Sequence, residues 1–395
     1  MLRTTSSAAA LFVVAFALSV SHVGSQASFD GKAIFRMDTF GDEQLWTDTL
    51  QMQKVIENLS PRTALLVGLK VDSDALPPAT VDALKAGQVN LDDPAVTIQL
   101  LKLNAVVGVI GKVTGPRDHL ATVGITCALC HSIVDDSVAP GIGKRLDGWA
   151  NRSLDVGAII ALSPVLPDQP YKDWGPGRYD ARFTAFDGDG FIQLNSTSLP
   201  VLIPSIFGLK GVGFETYTGD GPISYWNNYV GVTQMGGQGS FKDLRSPVNL
   251  DIVQTPDLVT SKLPALLQYQ LSLRAPAPPE RSFNRSAARR GEELFNGVAR
   301  CATCHTPPLY TDVTQDPAPF LHAPSEDVAE QNYAARSATG MYRTTPLRAL
   351  WQHPPYFHDG SANTLLDVVN RYDAAHSLRL TAKQKADLVE FLKSL

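Results

Sequence analysis

The sequence predicts a mainly α-helical chain of two cofactor-carrying units, with long irregular loops and a helical extension at its N-terminus. Three observations carry that reading. A five-residue stretch, Cys127-Ala128-Leu129-Cys130-His131, returns about 170 residues later as Cys301-Ala302-Thr303-Cys304-His305. Apolar residues recur at helical spacing near both ends of the chain. Between them, residues 163–250 are heavy in Gly, Pro, Asp and Asn, with short apolar runs such as Val201 to Ile206, a composition of loops and a few short strands.

The repeated stretch sets the chemistry. Two cysteines three apart can each add a thiol across a vinyl group of one haem, and the histidine that follows is then held under the porphyrin as an axial iron ligand. Cys127, Cys130, Cys301 and Cys304 are therefore the expected covalent attachments of two haem c groups, with His131 and His305 on the irons. With 4 Cys and 8 His in 395 residues, chance would give about 0.0008 such motifs, and there are two. The rival readings, a thioredoxin-like redox pair and half of a zinc site, lack what they need. A zinc ribbon would bring its CxxC pairs within about 15 to 20 residues of each other, and no cysteine remains here for a structural disulfide.

A length of 395 residues allows two or three domains, each with its own core. The net charge of −5 and the lack of Lys/Arg runs give no electrostatic footprint for nucleic acid. The first 27 residues read as a signal peptide: Arg3 supplies the positive region, Ala8 to Val20 the apolar run, and Ser25-Gln26-Ala27 a small-residue cleavage site. The apolar run is too short to span a bilayer. Export fits the cysteines, because haem is attached to CxxCH outside the bacterial cytoplasm; the expected address is the periplasm, with no membrane span after processing.

Taken in order, residues 29 to about 112 contain no Cys, and Met37 and Met52 are their only soft ligands. Trp46 to Leu59 reads as an amphipathic helix; Val81 to Leu84 and Ala95 to Leu103 begin two more, punctuated by Pro77-Pro78 and Pro94. After the first motif, Lys144 and Arg145 either meet haem propionates or form a solvated surface pair. Ser261 to Leu273 is a plausible helix, and the Pro-rich run over 274–283 is a stiff linker. The expected units are thus 28–273, the extension with the first haem domain, and 284–395, the second. The second opens with a helix from about Ser286 to Asn296 and closes with one started by Thr381 and Gln384, which carries Leu388, Phe391, Leu392 and Leu395 as a stripe. Gly291 would let Phe391 come close.

Function turns on the other face of each iron, since two strong protein ligands favour electron transfer and an open face lets a small oxidant bind. After His131 the chain offers no histidine until His305. His119 upstream and Met235, in Thr233-Gln234-Met235-Gly236-Gly237, are the remaining choices for the first haem, and each is equally readable as an ordinary loop or core residue. For the second haem, Met341, His358 and Tyr372 compete.

Four stretches add a family resemblance: Tyr342-Arg343-Thr344-Thr345-Pro346-Leu347-Arg348; Pro355-Tyr356-Phe357-His358-Asp359-Gly360; Thr364-Leu365-Leu366-Asp367-Val368-Val369; and Ala386-Asp387-Leu388-Val389-Glu390-Phe391-Leu392. Together they resemble the C-terminal half of bacterial di-haem cytochrome c peroxidases and of MauG. The N-terminal half is similar only around its CxxCH and, loosely, over Tyr217 to Met235, and residues 29–120 have no counterpart.

The resemblance implies two cytochrome c-like domains face to face. The N-terminal haem would be peroxidatic, and the C-terminal haem would relay electrons from a small soluble donor of cytochrome c or cupredoxin type. In the family the second haem's distal ligand falls fourteen residues after the histidine of the PYFHDG motif, methionine in the peroxidases and tyrosine in MauG; here that position is Tyr372, preferred on this ground over Met341. The missing distal histidine resembles the open first haem of MauG. The family's glutamate in a Glu-Met-Gly segment falls on Gln234, which can donate a hydrogen bond but cannot shuttle a proton. The inter-haem tryptophan has Trp174, Trp226 and Tyr217 as candidates, and a family calcium ion would take backbone oxygens near His353 and Pro355. The implied reaction is reduction of hydrogen peroxide. The alternatives are a pure electron carrier and a MauG- or oxygenase-like oxidation of a protein or organic substrate.

Overall fold

The computed structural model describes residues 29–166, 170–180, 183–186, 191–193, 200–245, 250–314, 321–322 and 340–395. The expected signal segment, 1–27, lies outside them. Within them the protein is mainly α-helical, and its strands pair only in two-stranded sheets.

The extension is helical, as its punctuation predicts. Asp30 caps Gly31–Met37, Ser60 caps Pro61–Leu66, and prolines open Pro78–Lys85 and Pro94–Lys102 at the first turn, where a missing N–H costs nothing. The helix expected over Trp46 to Leu59 is broken. A π-helical turn, Gln44–Thr49, stops at Gln51, whose φ of 53° is left-handed, before a short helix Met52–Ile56. Tertiary bonds explain the break: the Trp46 indole donates to the Met235 carbonyl at 2.9 Å, and the Thr47 hydroxyl to the Val123 carbonyl at 2.8 Å. These anchors fix successive residues in a geometry that a regular helix would not supply.

A hairpin also stands where the sequence suggested only a helical lead-in. Val109–Thr114 pairs antiparallel with His119–Ile125, from Val109 opposite Ile125 to Thr114 opposite His119. It delivers the chain to the first CxxCH, whose last four residues, Ala128–His131, form one helical turn. Ser132–Val134 then pairs with Arg145–Asp147. The extension is part of the core around this motif. Leu129 packs with Leu45, Trp46, Leu50 and Leu101, while Ala128 packs with Phe35, Phe40, Val232 and Met235.

The helix Leu263–Ser272 precedes the Pro-rich run, and Arg285–Asn296 follows it, capped by the Asn284 side chain, which accepts from the amides of Ser286 and Ala287. A third apolar cluster, with Phe295, Leu350, Val369, Leu388 and Phe391, draws only on residues beyond 293. Its centre is the crossing of Arg285–Asn296 with the closing helix Ala382–Ser394. Thr381 and Gln384 form the expected capping box there. At the crossing a Cβ on Gly291 would lie 2.1 Å from the Asp387 carbonyl oxygen and 2.7 Å from the Phe391 Cβ, so only glycine permits the approach. Phe295 and Phe391 meet edge-on, 5.1 Å between ring centroids. No helix among the described residues is long and apolar enough to cross a membrane.

Candidate functional site

Both CxxCH motifs open onto one cavity of about 1200 Å³. Ordinary ligand pockets span roughly 300–1,000 Å³, so this one exceeds a single-ligand site. Cys127, Cys130 and His131 line one part and Cys301, Cys304 and His305 another.

Each motif histidine is oriented in the same manner. His131 Nδ1 lies 3.0 Å from the Pro204 carbonyl oxygen, and His305 Nδ1 lies 2.9 Å from that of Tyr310. A carbonyl can only accept, so Nδ1 donates in both, and Nε2 is left with the lone pair that a metal needs. Burial pushes His131 down to about 4, which keeps that lone pair unprotonated at neutral pH. Burial also pushes the Cys127 and Cys130 thiols up to about 12 and the Cys301 thiol to about 11. Such a wall penalises thiolates, the form that zinc binding and disulfide exchange require, and tolerates uncharged thioethers. The donor set therefore fits two covalently held haems. Cys304, Asp312 and His322 place ligand atoms within 4.8 Å of one another, with Asp312 and His322 already paired at 2.9 Å; a thioether at Cys304 would remove the one soft anionic ligand from that trio.

The other residues singled out from the sequence divide clearly. Tyr372, on the helix Leu365–Ala375, lines the cavity between Phe357 and His376, stacked near both rings at 6.5 and 6.0 Å. His358 lines it too, whereas Met341 is not on the wall. Gln234 and Met235 are on the wall, Gln234 closing a π-helical turn, Val230–Gln234, a distortion that recurs at functional sites. Gln234 hydrogen-bonds Tyr229, whose hydroxyl burial holds well above its ordinary range. His119 is elsewhere, largely exposed on the hairpin and 2.7 Å from Glu57. Lys144 is exposed and Arg145 pairs with Asp72 at 3.0 Å, so neither reaches the cavity. Of the inter-haem aromatic candidates, Trp174 is core, edge-on to Tyr179, while Trp226 and Tyr217 line the cavity.

Three wall features were not singled out from the sequence. Glu215 is buried, with Oε2 3.1 Å from Arg343 and 3.9 Å from Arg348 and with Oε1 lacking a hydrogen-bond partner among the described residues. His376 lies one helical turn beyond Tyr372. Arg152, drawn down to about 10 by burial and then by Arg178, stands with His353, Pro355 and Tyr356. His353 is pushed down to about 4 by burial and then by the Arg152 charge. Only pairing across distant parts of the chain reveals Glu215 and Arg152, whereas the spacing of His376 from Tyr372 is local.

No family model matches the chain. It is 28% identical over 151 residues to cytochrome-c peroxidase IdrP1 of Pseudomonas sp. (strain SCT), an alignment covering 28% of this chain and 40% of that protein. To methylamine utilization protein MauG of Methylorubrum extorquens it is 30% identical over 122 residues, 27% of this chain and 34% of the relative. The chain thus spans about two fifths or less of the length of these curated relatives. A solved MauG-like protein associated with microbial copper homeostasis is 20% identical, with 55% of this chain and 77% of that one covered, at a TM-score of 0.35, too low to equate the folds. The resemblance carried by the C-terminal motifs is borne out: curated relatives of the chain are a cytochrome-c peroxidase and MauG.

Proposed function

We propose that this chain, a relative of cytochrome-c peroxidase IdrP1 and of MauG, is a periplasmic di-haem c-type oxidoreductase that reduces peroxide. The single observation that carries the proposal is the shared cavity, in which two CxxCH motifs each present a histidine whose Nδ1 is held by a backbone carbonyl. Cys127 and Cys130 would hold one haem and Cys301 and Cys304 the other, with His131 and His305 as axial ligands. Haem supplies the redox centres and, where one face of the iron is open, a place for a small oxidant.

The chain's own residues do the rest. The largely apolar wall strengthens the polar contacts made inside it. Tyr372 would be a further ligand to the second iron, supported by its place on the wall and by the absence of Met341 from it. Gln234 would donate a hydrogen bond at the first site. Reducing hydrogen peroxide to two waters takes two electrons and two protons, and an amide cannot take up and return a proton. The protons must therefore come from another group or from water, which makes Gln234 a positioning residue. The electron donor would be a small soluble protein of cytochrome c or cupredoxin type. The distinct apolar cluster beyond residue 293 supports the division into 28–273 and 284–395.

A MauG-like oxidation of a protein or organic substrate is the second reading, favoured by a tyrosine rather than a methionine at the wall position of residue 372. The pure carrier is the third, with buried Met235 closing the first iron. A pyridine haemochrome assay should count two haems per chain. Electron paramagnetic resonance of the resting protein should show one high-spin haem, and stopped-flow mixing of the reduced protein with hydrogen peroxide should give rapid reoxidation. Two low-spin haems inert to peroxide would leave only the carrier.

A further inference from the structure

We propose that Arg152 is the fixed cation at the seam between the two CxxCH units, that it pairs with a propionate carboxylate of a haem in the cavity, and that no calcium ion binds beside His353 and Pro355. This rests on the reading of the cavity as a haem site.

Arg152 is held by the first motif and faces the second unit. The amide of its neighbour Asn151 donates to the Cys130 carbonyl at 2.9 Å, and the Asn151 side chain donates to the carbonyls of Gly68 and Leu129. On its other side the backbone is packed so closely that a Cβ on Gly177 would sit 2.7 Å from the Arg152 carbonyl oxygen. The side chain reaches the cavity wall where His353, Pro355 and Tyr356 line it. There its Nε and Nη1 are buried without a hydrogen-bond partner among the described residues.

That arrangement is costly for the protein alone. A buried donor without a partner costs about 1–3 kcal/mol, more when charged, and a buried guanidinium calls for an anion. Among the described residues the groups acting on Arg152 are Arg178 and the Tyr356 hydroxyl, with no carboxylate among them. Nε with an Nη of a guanidinium forms the planar fork that fits a carboxylate in two-pronged fashion. A tetrapyrrole bound to the adjacent thiols brings such carboxylates with it.

The same site is wrong for calcium. That ion takes 6–8 oxygen ligands, with carboxylates among them. The charged groups that act on His353 are Arg152 and Arg348, both cations. Glu215 is already taken up by Arg343 and Arg348, and among the described residues no carboxylate acts on His353, so a divalent ion held by the carbonyls of His353 and Pro355 would stand against the Arg152 charge. A guanidinium supplies from within the chain the positive charge that the ion would have brought.

The test compares wild type, R152Q and R152K, each purified with its haem and counted by pyridine haemochrome. Wild type should contain no calcium by atomic emission, and its spectra and midpoint potentials should not change with EGTA. Removing a buried positive charge favours ferric iron, so R152Q should shift one haem's ferric/ferrous equilibrium toward ferric by about tenfold, about 59 mV for one electron. R152K keeps the charge but loses the fork, and should shift the same haem in the same direction by less; it serves alone if R152Q does not fold. Stoichiometric calcium in wild type, or unchanged potentials in variants that hold two haems, would overturn the inference. Fewer than two haems in wild type would overturn the haem reading itself.

Discussion

The imidazole of His358 lies face to face with the phenol ring of Tyr217, 4.6 Å between centroids and 22° between planes, joining a loop that follows the first CxxCH to one that follows the second. Tyr342 meets both rings edge-on, at 5.3 Å from Tyr217 and 5.4 Å from His358. This aromatic trio ties the two sides of the cavity together. A double-mutant cycle on Y217A and H358A, read by chemical denaturation, should give a coupling energy of about 0.5–1.5 kcal/mol. Additive losses would mean the stack contributes nothing beyond its burial.

Replacing Tyr372 by Phe should change the absorption and paramagnetic spectra of one haem and leave the other as it was. M341L should change neither. A spectrum altered by M341L and not by Y372F would reverse the assignment.

Gln234→Glu puts a proton-carrying group on the wall of the first site. General acid–base help is worth about 10²–10⁴-fold in rate, so peroxide turnover should rise by some part of that range and acquire a pH dependence on a carboxyl group. An unchanged rate would show that residue 234 does not face the reacting oxygen.

Gly291→Ala forces a Cβ into a space that ends 2.1 Å away at the Asp387 carbonyl. Overpacking of this kind costs about 1–3 kcal/mol. The melting temperature should drop by several degrees while the first haem's spectrum stays unchanged; an unaltered melting temperature would mean that the two helices tolerate separation.

Stability should fall on mild acidification. His353 is held at about 4 in the folded protein by burial and then by the Arg152 charge, against an ordinary value near 6.5. Between those values the unfolded chain binds a proton that the folded one refuses, so stability is complete above about pH 6.5 and declines as pH falls toward 4, by up to about 1.4 kcal/mol per unit. Denaturation midpoints at pH 7, 5.5 and 4.5 should trace that decline, and H353Q should make it shallower. An identical slope in H353Q would exclude His353 as a source.

What was legible in the sequence is what the chain settles over short distances. The CxxCH motifs, the cap at Thr381 and Gln384, and the small residue at Gly291 facing Phe391 each depend on residues a few places apart or on one helix crossing, and each stands where the pattern put it. The break at Gln51 was not legible, because Trp46 answers to the Met235 carbonyl, 189 residues away. The hairpin ending at Ile125 was hidden for a related reason: the Ile125 amide is held by the Asp42 carboxylate, 83 residues upstream. Arg152 and Glu215 are invisible to any local rule, since a lone charged residue in a polar stretch is usually solvated, and only the folded chain puts these two on an interior wall. His119 shows the converse, a ligand type in a suggestive place that the fold turns outward to Glu57.

The two motif imidazoles are braced by carbonyls at very different ranges along the chain. His305 is held by Tyr310, five residues on, and His131 by Pro204, 73 residues on. The His305 imidazole can therefore be aimed by a short stretch of polypeptide, whereas His131 stays unaimed until the intervening six dozen or so residues have folded back. On the proposed di-haem reading, the site nearer the N-terminus is the one whose geometry is completed by later sequence, and the site nearer the C-terminus is nearly self-sufficient.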